Sequence, residues 1–432
     1  MISDVSSWIR ARYDQIRDSL FLLPAGIVLS LAATSQLARL IDGTLQGGDN
    51  PWLLSTTVDS GRAILTTVAT ATVTVAAIVF SMTAVVVQLA TTQFSPRVTQ
   101  GFLRDRYQQV TIGITIGTFV YALLVLGSVR AFEVGPATNH DFSVTLAVVL
   151  AVLSMLAIVS FIDRIMRSMR VDSIVRSVAR KSDSAIRDLP ERVVVDESVR
   201  APIDMSRATT VETTRAGWVR SVDYDAILAA LPGDTSVRVE VRTGDFVVTH
   251  SGTATVWPEV DERTATAVGN AIALGQTRTI DADPAYGIRQ LVDIALRALS
   301  PSLNDPTTAA DVVRQLAVPL KTLLLRGFAG RVVGDERGNR VYLPRNLTHA
   351  DYIYEAFTEI RLNAINQPYV LRALLETLGG LIGVMGDADD SRTSALRHQA
   401  SATVQVIRDS SMPDHDKEPL FDTARAAGID VD

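Results

Sequence analysis

The stretch AILTTVATATVTVAAIVFSMTAVVVQLATTQFSP, Ala63 to Pro96, decides how the chain is read. It holds no charged residue, and Thr67, Thr74, Ser81 and Gln88 recur in it at every seventh position. Seven residues are close to two turns of α-helix, so these polar groups fall along one face with a drift of about 20° per heptad. Thr70, Ala77, Ala84 and Thr91 extend that face with small side chains, while Val68, Val75, Met82 and Leu89 occupy another. The pattern predicts a membrane helix with one narrow polar side. That side has to meet protein or water, because hydroxyls and amides pointed at lipid find no hydrogen-bonding partner beyond their own backbone.

Three more stretches, Leu20 to Ile41, Gln109 to Val129 and Phe142 to Ile162, reach the roughly 20 apolar residues that cross about 30 Å of hydrocarbon. With Ala63 to Thr92, long enough to tilt or project beyond the bilayer, they predict a four-span transmembrane domain over residues 1–165. Arg10, Arg12 and Arg17 precede the first span, Arg97, Arg104 and Arg106 separate the second from the third, and Arg164, Arg167, Arg170, Arg176, Arg180 and Lys181 follow the fourth. The other two loops hold Asp42, Asp49, Asp59, Glu133 and Asp141, with Arg39, Arg62 and Arg130 only at their edges. Positive loops stay inside, so both termini are expected in the cytoplasm. A cleaved signal peptide is the weaker reading of the first span, because about 20 residues precede its apolar run.

The interiors of these spans contain no Asp, Glu, Lys, Arg or His. Intramembrane charges are costly and are kept for coupling, proton relay or voltage sensing, so their absence argues against a coupled transporter, a pump or an arginine-based voltage sensor. A passive pathway, a sensor or an anchor remains. The chain has no cysteine, which excludes disulfides, thiolate metal sites and thiol catalysis. Its net charge of −6 belongs entirely to the part after residue 165, since acidic and basic residues balance before it, and an acidic domain is not expected to bind nucleic acid.

Behind the membrane, residues 166–216 read as a basic juxtamembrane helix and a linker, irregular from Ser182 and interrupted by Pro190 and Pro202. Residues 217–258 read as a small β-barrel or sandwich, with strands near Trp218 to Val222, Val237 to Val241 and Phe246 to Val248 and turns at Gly233-Asp234 and Gly244-Asp245. Residues 259–410 read as helical. Asp283-Pro284 and Asp305-Pro306 each set a capping carboxylate before a proline at the first helical position, and further helices are expected over His349 to Ala364 and Tyr369 to Met385. Residues 411–432 read as a polar tail. The fold class expected is therefore an α-helical membrane domain followed by a cytoplasmic α+β domain.

Two groups of residues are candidates for function. Thr67, Thr70, Thr74, Ser81, Gln88 and Thr91 are the pore-lining candidates, since hydroxyls and small side chains around an axis can line a narrow aqueous path, with Gln88, Thr91, Thr92 and Gln93 at its cytoplasmic mouth. Small residues equally let helices pack closely, and Thr66, Thr72 and Thr83 lie off the stripe. Gly113 and Gly117 form a small-xxx-small pair assigned to packing. The second group is Arg289, Asp293 and Arg297, at i, i+4 and i+8 on one helical face, with Asn304 and Asp305 beyond them, a candidate ligand or subunit contact or simply a salt-bridged face. His140, His250, His349, His398 and His415 show no metal-ligand spacing, and Asp387, Asp389 and Asp390 lack the full EF-hand pattern. Gly380, Gly383 and Gly386 have neither the strand nor the Lys-Ser/Thr that a nucleotide loop requires.

Leu291 to Thr308, Phe80-Ser81-Met82 and Gln88 to Arg97 resemble the bacterial membrane proteins grouped as domain of unknown function 2254, and the similarity extends through Val219 to Val248 and Tyr354 to Leu378. The resemblance implies a four-span inner-membrane protein with a cytoplasmic domain and brings no catalytic residues with it. The expected partners are the lipid bilayer, further copies of the chain in a cyclic homo-oligomer, and ions or a small ligand. No cofactor and no enzymatic activity are expected. The preferred function is a channel-like passive path for ions or small solutes controlled by the cytoplasmic domain; the alternative is a membrane-anchored scaffold or sensor that binds a cytoplasmic partner or ligand without transport.

Overall fold

The computed structural model describes residues 22–44, 53–54, 57–93, 106–131, 140–168, 170–189, 207–326, 332–344, 347–386 and 391–431. The chain divides into two compact units, Met1–Arg170 and Val171–Asp432.

The first unit is built from α1 (Leu22–Thr44), α2 (Val58–Gln93), α3 (Arg106–Ala131) and α4 (Asp141–Ser168). The helices run past the apolar stretches at most ends because polar residues continue the backbone ladder there; at the start of α2, Thr57 Oγ1 accepts a bond from the Ser60 amide at 3.3 Å. Helix α3 touches each of the other three. Its Tyr121, Ala122 and Val125 are buried among Leu65, Val68 and Ala69 of α2 and Val144 and Ala147 of α4. Gly113 and Gly117 let α1 approach closely: a Cβ on Gly113 would stand 2.9 Å from Ile27 Cδ1, and one on Gly117 2.5 Å from Leu31 Cδ1.

Asp42, read from sequence as a loop residue, lies in the last turn of α1 and is buried. Its carboxylate accepts bonds from the Phe142 amide at 2.9 Å, the Ser143 amide at 3.3 Å and the Ser143 hydroxyl, so it caps α4 from a neighbouring helix. Tyr121 donates its hydroxyl to the Ser143 carbonyl at 3.1 Å and joins α3 to the same corner.

The second unit opens with α5 (Val171–Arg187). The sequence reading turns irregular at Ser182, but Ser182, Ala185 and Ile186 are still buried, so the helix continues to Arg187. The β part comprises β1 (Thr209–Glu212), β2 (Gly217–Val222), α6 (Tyr224–Ala230), β3 (Ser236–Val239), β4 (Phe246–Val247), β5 (Gly252–Trp257), α7 (Glu262–Asn270) and β6 (Ile272–Gly275). Two long helices follow, α8 (Pro284–Ala298) and α9 (Pro306–Leu325), each started by the expected pair: Asp283 accepts from the Tyr286 amide at 3.2 Å and Asp305 from the Thr308 amide at 3.0 Å. Then β7 (Val332–Gly334) and β8 (Arg340–Tyr342) return to the sheets before α10 (His349–Asn363), α11 (Pro368–Met385), α12 (Ser391–Asp409) and α13 (Asp414–Ala426).

A five-stranded sheet has the order β1-β5-β3-β8-β7 and a three-stranded one the order β4-β2-β6; among the described residues only β3 and β8 pair in parallel. The two share one core, in which Val219 and Ile272 of the smaller sheet meet Val237, Val239, Val256 and Val341 of the larger. The β part therefore starts before residue 217 and takes β6, β7 and β8 from the stretch read as helical. Residues 411–432 differ from a bare tail as well, since α13 packs on α11 and buries Leu420 and Ala424. Helices α8, α9 and α11 supply the fully buried Ile288, Leu316, Leu320 and Leu374 at the centre of the helical part.

Candidate functional site: the outward stripe of the second membrane helix

Which way α2 turns its polar stripe follows from burial. Leu65, Val68, Ala69, Thr72 and Val79 are buried against the rest of the bundle. Thr67, Thr70, Thr74, Ser81 and Gln88 are exposed, and at about 100° per residue they point roughly opposite that buried face. Of Thr91, Thr92 and Gln93 only the helical backbone is described, so the expected mouth lies outside the described side chains. Among the described residues, then, the stripe is not spent on packing against α1, α3 or α4.

The hydroxyls are partly satisfied by their own helix. Thr67 donates to the Ala63 carbonyl at 2.7 Å and Thr74 to the Thr70 carbonyl at 2.8 Å, which leaves oxygen lone pairs on the outer surface. Toward the start of the helix the small alanines leave a shallow open trough along this face, lined by Arg62, Thr66, Thr67, Thr70 and Thr74. Arg62, left at a loop edge in the sequence reading, lies in α2 at the head of this trough. The off-stripe Thr72 takes the opposite direction: it is buried and bonds back to the Val68 carbonyl at 2.7 Å.

The charged ladder in α8 resolves differently. Arg289 is held by Asp293 at 2.8 Å and, through both terminal nitrogens, by Glu359 of α10 at 2.5 and 3.1 Å. The fork ties two helices together, and the bond from Arg289 lowers the Glu359 carboxyl below its usual range. Glu359 has no sequence signal linking it to Arg289, because 70 positions separate them. Arg297 stands exposed two turns on. Asn304 adopts φ +44° and accepts a bond from Gln367 at 3.2 Å, while Asp305 caps α9, so these two shape a turn at the far end of α8 from Arg289.

A second cluster, which sequence reasoning did not single out, joins the sheets to the helices. Arg278 contacts Asp283 at 2.7 Å and lies over the rings of Trp218 and Tyr286, 5.6 and 5.0 Å from their centroids. Gly244, at φ +91°, backs onto this pair so closely that a Cβ there would overlap the Asp283 carboxylate. Burial raises the Asp283 carboxyl against the opposing pull of Arg278, and burial also raises Glu355 nearby on α10. Among the described residues no three His, Asp or Glu side chains converge as metal ligands; Asp387, Asp389 and Asp390 lie outside them.

The family model described as "Predicted membrane protein (DUF2254)" matches residues 17–379. The chain belongs to this family. It is 29% identical over 436 residues, 97% of this chain and 82% of the relative, to uncharacterized protein Rv1290c of Mycobacterium tuberculosis (strain H37Rv). Uncharacterized protein Mb1321c of Mycobacterium bovis shows the same 29% identity with 97% and 82% coverage. No solved structure matches. The protein is therefore a membrane protein, and five of its described helices, α1 to α4 and α11, are long and apolar enough to cross a bilayer.

Proposed function

We propose that the protein is a homo-oligomeric, channel-like membrane protein in which copies of α2 surround a passive path for ions or small solutes. The observation that carries this reading is the direction of the stripe: five polar or small positions of one long apolar helix face away from the subunit's own bundle. In an isolated subunit this exposed polar face would lie against lipid. A neighbouring copy or a water-filled axis suits exposed hydroxyls better than lipid does. The reading assigns no catalytic step.

Within this proposal α1 to α4 are the four spans, in the inner membrane with both termini cytoplasmic, as the basic loops suggest. Helix α11 belongs to the cytoplasmic domain. It carries Arg372 and Glu376 on its exposed side and buries Leu371, Leu374, Leu375 and Leu378, and it packs with α9, α12 and α13. The cytoplasmic domain orders or gates the path from below.

Conductance of the purified full-length protein in planar bilayers tests the proposal. Single-channel steps are expected, and Thr74→Leu, which puts a bulky apolar side chain on the stripe, should lower the step size by half or more. Silent bilayers with protein that remains folded and oligomeric would favour the anchored scaffold or sensor instead.

A further inference from the structure

The helix that follows the last span has two faces with different uses. Ile174, Val175, Val178, Ala179, Ala185 and Ile186 of α5 are buried, and α5 packs on α8 and α9. The approach to α8 is close enough that a Cβ on Gly287 would overlap Ser182 Oγ. This apolar face is consumed by protein, so α5 has none left to insert into a bilayer as an amphipathic anchor does.

The opposite side exposes Arg176, Arg180, Lys181 and Arg187. Two of these cations are neutralised one turn away, Arg176 by Asp172 at 2.5 Å and Arg187 by Asp183 at 2.5 Å. Asp183 also accepts a bond from Thr322 at 2.5 Å, so that carboxylate is fixed in place. Arg180 and Lys181 have no carboxylate partner among the described residues. They form an island of positive charge in the part of the chain that carries the whole net charge of −6.

In sequence this island follows α4, the last apolar helix of the first unit, closely. Only Met169 and Arg170 separate α5 from α4, so chain reach keeps the first residue of α5 within about 10 Å of the end of α4. Arg180 lies about 14 Å further along the helix axis. Chain reach thus bounds Arg180 at about 24 Å from the end of α4. The field of an anionic membrane surface decays over a Debye length of about 8–10 Å at ordinary salt, so the island binds such a surface only where it comes within that distance, which the salt dependence of binding reads.

We infer that Arg180 and Lys181, flanked by Arg176 and Arg187, form a docking stripe for anionic phospholipid headgroups. The contact is electrostatic, without insertion of apolar side chains. It does not depend on the channel proposal.

Native mass spectrometry of the full-length protein, released from micelles containing equal phosphatidylglycerol and phosphatidylcholine, tests this. The parent should retain phosphatidylglycerol in preference. R180Q/K181Q should lower that preference by about fivefold for each cation removed, corresponding to about 1 kcal/mol each. R180K/K181R should keep it, and raising salt to half-molar should weaken it in the parent. Asp172→Asn, which frees Arg176, should raise it, so the inference stays testable should the double variant fold poorly. An unchanged lipid ratio in R180Q/K181Q together with no gain in Asp172→Asn would overturn the inference.

Discussion

Asp42, Asp283 and Asp305 all place a carboxylate at the free amides of a helix start, where the bond and the helix dipole favour negative charge. Asp283 and Asp305 cap the helix that follows them, whereas Asp42 caps α4 from the end of α1 and so carries tertiary structure. Asp42→Ala should therefore cost about 1–2 kcal/mol, the upper range for a lost cap, measured as a lower unfolding midpoint of the full-length protein in detergent. The carboxyls of the α8–α10 interface give predictions of opposite sign. Burial raises Glu355, so the folded protein holds a proton there more readily than the unfolded chain; the stability it contributes is present at acid pH and lost as pH rises through its folded value. Glu355→Gln should raise the unfolding midpoint at pH 7.5 and give no advantage at pH 4. Glu359 is lowered by its bond from Arg289, so its contribution is present at neutral pH and lost as pH falls through its folded value. Glu359→Gln should destabilise the protein at pH 7.5, with a loss that shrinks on acidification. At this scale the local signals were legible: Asp-Pro announces a helix start because cap and proline act within four residues. The pairings of Asp42 with Ser143 and of Arg289 with Glu359 were not, since they span 101 and 70 positions.

Among elements, close approach decides which faces meet. Gly113 and Gly117 bring α1 against α3, and any larger side chain would run into Ile27 or Leu31. Gly117→Leu should cost about 1–3 kcal/mol through overpacking, seen as a lower midpoint and faster proteolysis of α1 in detergent. Packing was the role read for this pair from its spacing. Helix α13 was illegible because it buries only Leu420 and Ala424 and is otherwise polar. Leu420→Ala should cost about 2–4 kcal/mol, measured by thermal unfolding, an outcome a loose tail could not give. The strands β7 and β8 escaped for another reason. Each is three residues long, too short for an alternating pattern to register, and β8 gains its place by pairing with β3, which lies before both α8 and α9.

For the whole molecule, the heptad of Thr67, Thr74, Ser81 and Gln88 was legible as a face, but its direction was not. Periodicity groups residues on one side of a helix without saying what that side meets; burial of Leu65, Val68 and Thr72 supplies that by turning the stripe outward. The channel proposal rests on this direction, and the absence of cysteine from the chain makes the direction measurable. The most direct measurement is reaction of single-cysteine variants, Thr74→Cys and Ser81→Cys against Val68→Cys, with a membrane-impermeant, water-soluble thiol reagent in proteoliposomes. The account predicts that Thr74→Cys and Ser81→Cys react and lose conductance on labelling, while Val68→Cys does not react. Stripe cysteines that are reached only by lipid-soluble reagents, with no change in conductance, would contradict it.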